Sequence, residues 1–280
     1  MGMVIRNNLD SVRAYNIYNK NATALSHTMY QVSSGQRLNS AADGPSDLAI
    51  SEKMRGLISS NNQASRNVQA STNMIKTAEG ALSNIVDLLN TVRERVVNAA
   101  NDSNTTMERS LISTEISALL AQIDDNSNVT YNGMKLLDGS WGSGAGGTGL
   151  NFQIGGQPGL NIQVNISAMS STGLGLVGSA LDISTTSAAN EVLTQIDSAI
   201  NVVLNQRTEL GSIEARLGFT LDNLATETEN LIASESSIRD LDMAKGMTDF
   251  MKWNVQTQAA QFMLAQAGQN AYSVLNLLQQ

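Results

Sequence analysis

The sequence predicts a mainly α fold: a long antiparallel helical rod with a small β-hairpin region, plus a terminal two-helix coiled-coil domain. Three observations predict it. Apolar residues recur at steps of three and four over two stretches of about 50 residues each. Only two prolines, Pro45 and Pro158, occur in 280 residues, so little interrupts a helix. The glycines that do punctuate the pattern gather between positions 133 and 178, which confines the non-helical part to one region.

Taken in order, the first segment places Tyr18, Ala22, Leu25, Met29 and Val32 at helical spacing and ends near Ser34. Gly35 and the run Asn39 to Ser46 (NSAADGPS) form a loop, with Pro45 suited to the first turn of the next helix. From Ser46 to about Ala100 there is no further proline, which predicts one helix of about 50 residues, roughly 75–80 Å long, or two in series. Its seam is Ile75, Ala78, Leu82, Ile85, Leu89, Val92, Val96 and Ala99, while Lys76, Glu79, Asp87, Arg93 and Glu94 lie on other faces. Thr105 followed by Glu108 reads as a capping box that opens a shorter helix through Ile112, Ile116, Leu119 and Ile123.

Beyond Asn126 the alternation in Leu160–Ile166 (LNIQVNI) puts Leu160, Ile162, Val164 and Ile166 on one side of a strand. Paired with Asn151–Ile154 across Gly155 to Gly159, it predicts a β-hairpin. A third long helix runs from near Ser187 to about Asp242, with Leu193, Ile196, Ile200, Val203, Leu210, Leu217, Leu221, Leu224, Leu231, Ile238 and Leu241 on its seam. Two seams of matched length are best buried against each other, antiparallel. The chain therefore divides into 1–42, 43–178, 179–242 and 243–280, the first and last being two halves of one terminal domain.

Composition excludes several kinds of function. There is no cysteine and one histidine, His27, so thiolate metal sites, cysteine nucleophiles and paired-histidine zinc motifs are ruled out, and no metal or other cofactor is expected. His27 reads as an ordinary interface position. The acidic run Asp124-Asp125-Asn126-Ser127-Asn128 lacks the glycine and terminal glutamate of a calcium loop and reads as a helix end. Net charge is −8, and no basic cluster could neutralise a row of phosphates, so nucleic acid is not an expected partner. No run of 18 uncharged apolar residues exists, and the opening residues lack the pattern of a secretory leader, so neither a membrane span nor a cleaved signal peptide is expected.

Charge is also distributed unevenly. The net is +3 over Met1–Ala42, −12 over Asp43–Asp242 and +1 over Met243–Gln280, and no charged side chain follows Lys252. Both ends are thus amphipathic and charge-poor, and a two-helix unit of this size buries little by itself. They are expected to become ordered by packing among other copies, with Leu9, Val12, Leu25, Met29, Val32, Met247, Met251, Val255, Phe262, Leu275 and Leu278 forming the assembly surface.

Several local runs then resemble one family. Ser33-Ser34-Gly35 with Arg37 to Ala41, Gln63 to Asn67 and Thr77 to Leu82 stand in the first part; Ala215 to Gly218, Ser234 to Ser236, Ile238 to Asp240, Ala265 to Ala267 and Val274 to Leu278 stand in the last. Together they resemble the bacterial flagellins, in a short form whose link Ser167–Ser187 leaves no room for outer domains. The resemblance implies a structural subunit of the helical flagellar filament, not an enzyme, with a filament core made from both ends. It implies export in unfolded form and an extracellular place in the flagellum. Implied partners are further copies of the chain, an export chaperone, the filament cap and hook-associated proteins, and the vertebrate Toll-like receptor for flagellin. A hook-filament junction protein, with similar ends, is the alternative reading. The resemblance also maps the receptor-facing surface onto Thr91, Val92, Arg93 and Glu94, with Arg95 beside them and Glu115 on the next helix. Thr91 and Arg95 depart from the motif, which has an arginine and a leucine there, so receptor activation is expected to be weakened.

Overall fold

In a computed structural model the described residues are 8–142, 149–177 and 182–277, with side chains of the last helix described as far as residue 269. Five helices carry the fold: α1 (Leu9–Ser34), α2 (Pro45–Ala99), α3 (Thr106–Ser127), α4 (Thr186–Arg239) and α5 (Met243–Leu277). Two small antiparallel hairpins lie between α3 and α4, β1 (Thr130–Tyr131) with β2 (Met134–Lys135), and β3 (Leu150–Gln153) with β4 (Asn161–Val164). The chain folds as two compact units, a terminal one of Met1–Gly56 with Asn230–Gln280, and a central one of Leu57–Glu229.

The central unit holds nearly all of the sealed core. Every residue of the α2 seam from Ile75 to Ala99 that the three-and-four spacing selects is buried, and Ile196, Val203, Leu210, Leu217 and Leu224 of α4 meet it. Ion pairs at the flanks give the direction: Lys76 with Glu214, Glu79 with Arg207 and Arg93 with Asp197 run forwards along α2 and backwards along α4. The helices are therefore antiparallel, as expected. These exposed pairs fix register more than they add stability, at about 0–1 kcal/mol each. α3 packs back on the same core through Ile116, Leu120 and Ile123. It starts where the capping box requires: the backbone N–H of Thr105 donates to Glu108 Oε2 at 2.7 Å, and the Glu108 N–H donates to Thr105 Oγ1 at 3.4 Å.

The glycine-rich region is more structured than its sequence suggests. Asn132 and Gly133, both at positive φ, make the tight turn joining β1 to β2. Leu136, Leu137, Met169, Leu176 and Ile183 reach the core from segments without regular periodicity. Two polar side chains tie these segments down. The Asp124 carboxylate accepts from the N–H and hydroxyl of Ser171, at 2.7 and 2.8 Å, and buried Gln206 donates to the Asn165 carbonyl while accepting from the Ser167 N–H. The β3–β4 hairpin forms as predicted, with Leu150, Phe152, Ile162, Val164 and Ile166 facing inward. Leu160 departs from that pattern and is 49% exposed. It precedes the ladder and lies over Gly155, where an added Cβ would meet its Cδ1 at 2.5 Å.

In the terminal unit, the two connectors between helices are stitched by backbone. The Arg37 N–H donates to the Arg239 carbonyl at 2.7 Å, and the Leu241 N–H donates to the Gly35 carbonyl at 2.9 Å. Arg239 reaches Glu52 at 2.7 Å and Arg37 reaches Asp47 at 3.1 Å. Leu38 is fully buried beneath the loop. That loop is organised by Asp43, whose side chain is only 8% exposed: His27 Nε2 donates to Oδ1 at 2.7 Å, and the N–H groups of Asn39 and Ser40 donate to Oδ2. The His27 bond, followed by these backbone donors, holds the Asp43 carboxyl at about 2 against an ordinary 3.8.

Two outcomes are expected from this packing. Leu82→Ala empties a fully buried seam position and should cost about 2–5 kcal/mol in chemical denaturation of the central unit. Because the folded-state pKa of Asp43 is depressed, its contribution is complete above pH 3.8 and is lost as pH falls toward 2. The thermal midpoint of the terminal unit should drop across that interval, and Asp43→Asn should flatten the drop.

Candidate functional site: the terminal helix pair

α1 and α5 run antiparallel. Asn8 Nδ2 donates to the Ala267 carbonyl at 3.1 Å, Asn21 Nδ2 to the Gln256 carbonyl at 3.3 Å, and Gln261 Nε2 to Tyr18 Oη at 3.5 Å. At the opposite end a Cβ on Gly246 would lie 2.8 Å from Leu241 Cδ2 and 3.3 Å from Val32 Cγ2, so glycine there makes room for the connector as well as for α1. The residues that seal this seam are small or polar. Thr28 is the buried residue of α1, and Thr257 and Ala260 are those of α5 with Gly246. Leu25 and Val32 are half-buried on the same side.

The larger apolar residues point elsewhere. Leu9, Val12 and Met29 of α1 and Met247, Met251, Val255 and Phe262 of α5 are exposed, Phe262 at 76%. Of the predicted assembly residues, Leu25 and Val32 thus serve the internal seam and these seven face outward. The side chain of Leu275 and all of Leu278 lie outside the described residues. The expected assembly surface left out Tyr15, Ile17 and Tyr30, and also Met243 and Met263 although both stand at helical spacing; all five are exposed. In α1 a second stripe was the available signal: Ile17 and Tyr30 each stand one position off Tyr18 and Met29 of the first. Between Ala14 and Ile17 on one helix and Ala259, Ala260 and Met263 on the other lies an open groove of about 710 Å³.

Fully burying each such side chain is worth about 1.5–3 kcal/mol, so a surface with this many favours association. α5 carries no charge beyond Lys252, whose ammonium sits 5.1 Å over the Trp253 ring. Among the described residues no group of three potential metal ligands occurs, and no helix is long and apolar enough to cross a membrane. The site offers apolar surface for burial.

The predicted receptor-facing residues divide differently. Arg93 Nε donates to Asp197 at 2.7 Å, which raises the guanidinium pKa further, and Arg95 Nε lies 2.8 Å from Glu115 Oε1. The Thr91 hydroxyl donates to the Asp87 carbonyl, and Glu94 is exposed. Val92 must be corrected: it is 0% exposed, a seam residue of the central core, and has no surface to offer a receptor.

The bacterial flagellin N-terminal helical region matches residues 5–142, and the bacterial flagellin C-terminal helical region matches residues 193–278. A flagellin of Bacillus subtilis (strain 168) is 41% identical over 99% of this chain and 100% of its own length. A flagellar filament 30.7 kDa core protein of Treponema maltophilum is 36% identical, with the same coverage. A solved structure from Vibrio parahaemolyticus, described as a flagellar hook-associated protein, shares the fold at TM-score 0.59 and 17% identity, over 71% of this chain and 100% of that one. With both helical regions matched and relatives aligned end to end, this chain belongs to the bacterial flagellin family, a subunit of the flagellar filament and not an enzyme.

Proposed function

We propose that this subunit polymerises by burying the outward faces of α1 and α5 against different faces of the terminal helices of neighbouring copies. The observation that carries this reading is the exposure of Met251, Val255 and Phe262 along a helix whose own internal seam is made of Thr257 and Ala260. Contacts between unlike faces that do not close on themselves generate a helical array, which is the geometry a filament needs. Charge-poor helices suit that arrangement, because every like charge placed at the contact would recur in each subunit. Export in unfolded form, capture of the uncharged tail by an export chaperone, and contact with cap and hook-associated proteins follow from the family membership as further parts of the proposal.

As a ligand of the vertebrate flagellin receptor, the chain is proposed to be weakened. Thr91 offers no guanidinium, and Arg95 sets a charge paired to Glu115 where an apolar anchor would sit, so both groups of that pair are engaged within the subunit.

Two measurements test these readings. Removing residues 254–280 should leave the central unit folded by circular dichroism and abolish elongation of filament seeds; elongation at the full-length rate would overturn the assembly reading. In reporter cells carrying the receptor, Thr91→Arg with Arg95→Leu should raise potency about tenfold, or 1.4 kcal/mol. Unchanged potency would refute the proposed weakening.

A further inference from the structure

Four of the chain's twelve methionines lie in α5. Met243, Met247 and Met251 follow one another at four-residue steps on its outward side, and Met263 lines the groove beside α1. All four are exposed, Met251 at 63% and Met263 at 66%, whereas Met74 and Met169 are buried in the central unit. Exposed thioethers react with hydroperoxides. The sulfur lone pair attacks one peroxide oxygen, the O–O bond breaks, and the oxygen passes to sulfur as the sulfoxide while the remaining fragment leaves as water or an alcohol. Sulfur gives up two electrons and the peroxide takes them. The product has a strong acceptor oxygen on a stereogenic sulfur, in place of a flexible apolar group. One turn beyond Met251 on the same helix face stands exposed Val255, whose side chain has no donor to satisfy it.

We propose that Met247, Met251 and Met263 are oxidation sites for small hydroperoxides, and that their conversion to sulfoxides in the free subunit blocks polymerisation. Packing in the filament shields the same sulfurs, so the modification acts before assembly and is reversible by sulfoxide reduction. This inference rests on the assembly reading above, which places these side chains at subunit contacts.

The test uses the full chain, graded hydrogen peroxide, peptide mass spectrometry and seeded elongation. In the free chain, sulfoxide at Met247, Met251 and Met263 should accumulate about tenfold faster than at Met74 and Met169, and about fivefold faster than at the same three positions in filaments. Elongation should fall about tenfold, and treatment with reductases for both sulfoxide epimers should restore it to within about twofold. The combined Met247→Leu, Met251→Leu, Met263→Leu chain should keep to within about twofold of its own untreated rate after the same dose, while Met107→Leu should remain sensitive. Undiminished elongation by a chain oxidised at all three positions overturns the inference, as does failure of the reductases to restore it, or equal loss in the combined variant. An untreated chain that cannot elongate seeds overturns the assembly reading itself, and this inference with it.

Discussion

The dependence of everything else on one contact is plain in the terminal unit: the buried residues where α1 and α5 meet, Thr28, Thr257 and Ala260, are small or polar, and the larger Leu25 and Val32 are only half-buried there. Thr28, Thr257, Ala260 and Gly246 allow the helices to approach and give them hydrogen bonds, but supply little apolar area. Most of the bulky residues of both helices, among them Met29, Met251, Val255 and Phe262, are left on the outside as a consequence. Had threonine and alanine been exchanged with the methionine, valine and phenylalanine one turn away, the pair would be a self-contained hairpin with nothing to gain from a neighbour.

The central unit follows the opposite plan. Its seams are filled by Leu, Ile and Val, its irregular segments are pinned by Asp124 and Gln206, and its flanks carry ion pairs that set register. Polar groups are used there to fix single arrangements, because an amide or carboxylate with all its partners tolerates few alternatives. In the terminal unit the apolar side chains of α1 and α5 stand exposed, and the assembly proposed above would leave specificity to the neighbouring copy.

How much of this was legible in the sequence depended on how local each signal is. The α2 seam was readable because eight apolar positions keep one phase, and the Thr105 capping box because three residues determine it. Leu160 was misplaced since alternation was counted back into the turn, before the ladder begins at Asn161. Leu136, Met169, Leu176 and Ile183 had no period to betray them; their burial is decided by where α2 and α4 leave a gap. The case of Val92 is instructive because the sequence contained both answers. Its spacing from Leu89 and Val96 put it in the seam, family likeness put it in an outward-facing motif, and geometry allows one side chain only one of these places. For the terminal site, the sequence disclosed that apolar faces exist, but which stripe turns inward depends on the partner helix, and Gly246 and Ala260 chose it.

The hydrogen bond from Asn8 to Ala267 spans 259 positions of the chain. On a ribosome α1 is made before the whole central unit and α5 after it, so the pair can form only once everything between them has been made. A chain cut short, by a stop codon or a protease, presents α1 with no α5 to hold it in place. On the assembly proposed above, pairing α1 with α5 makes incorporation a check that the chain between them has been made: a product cut short of α5 lacks half of the proposed surface.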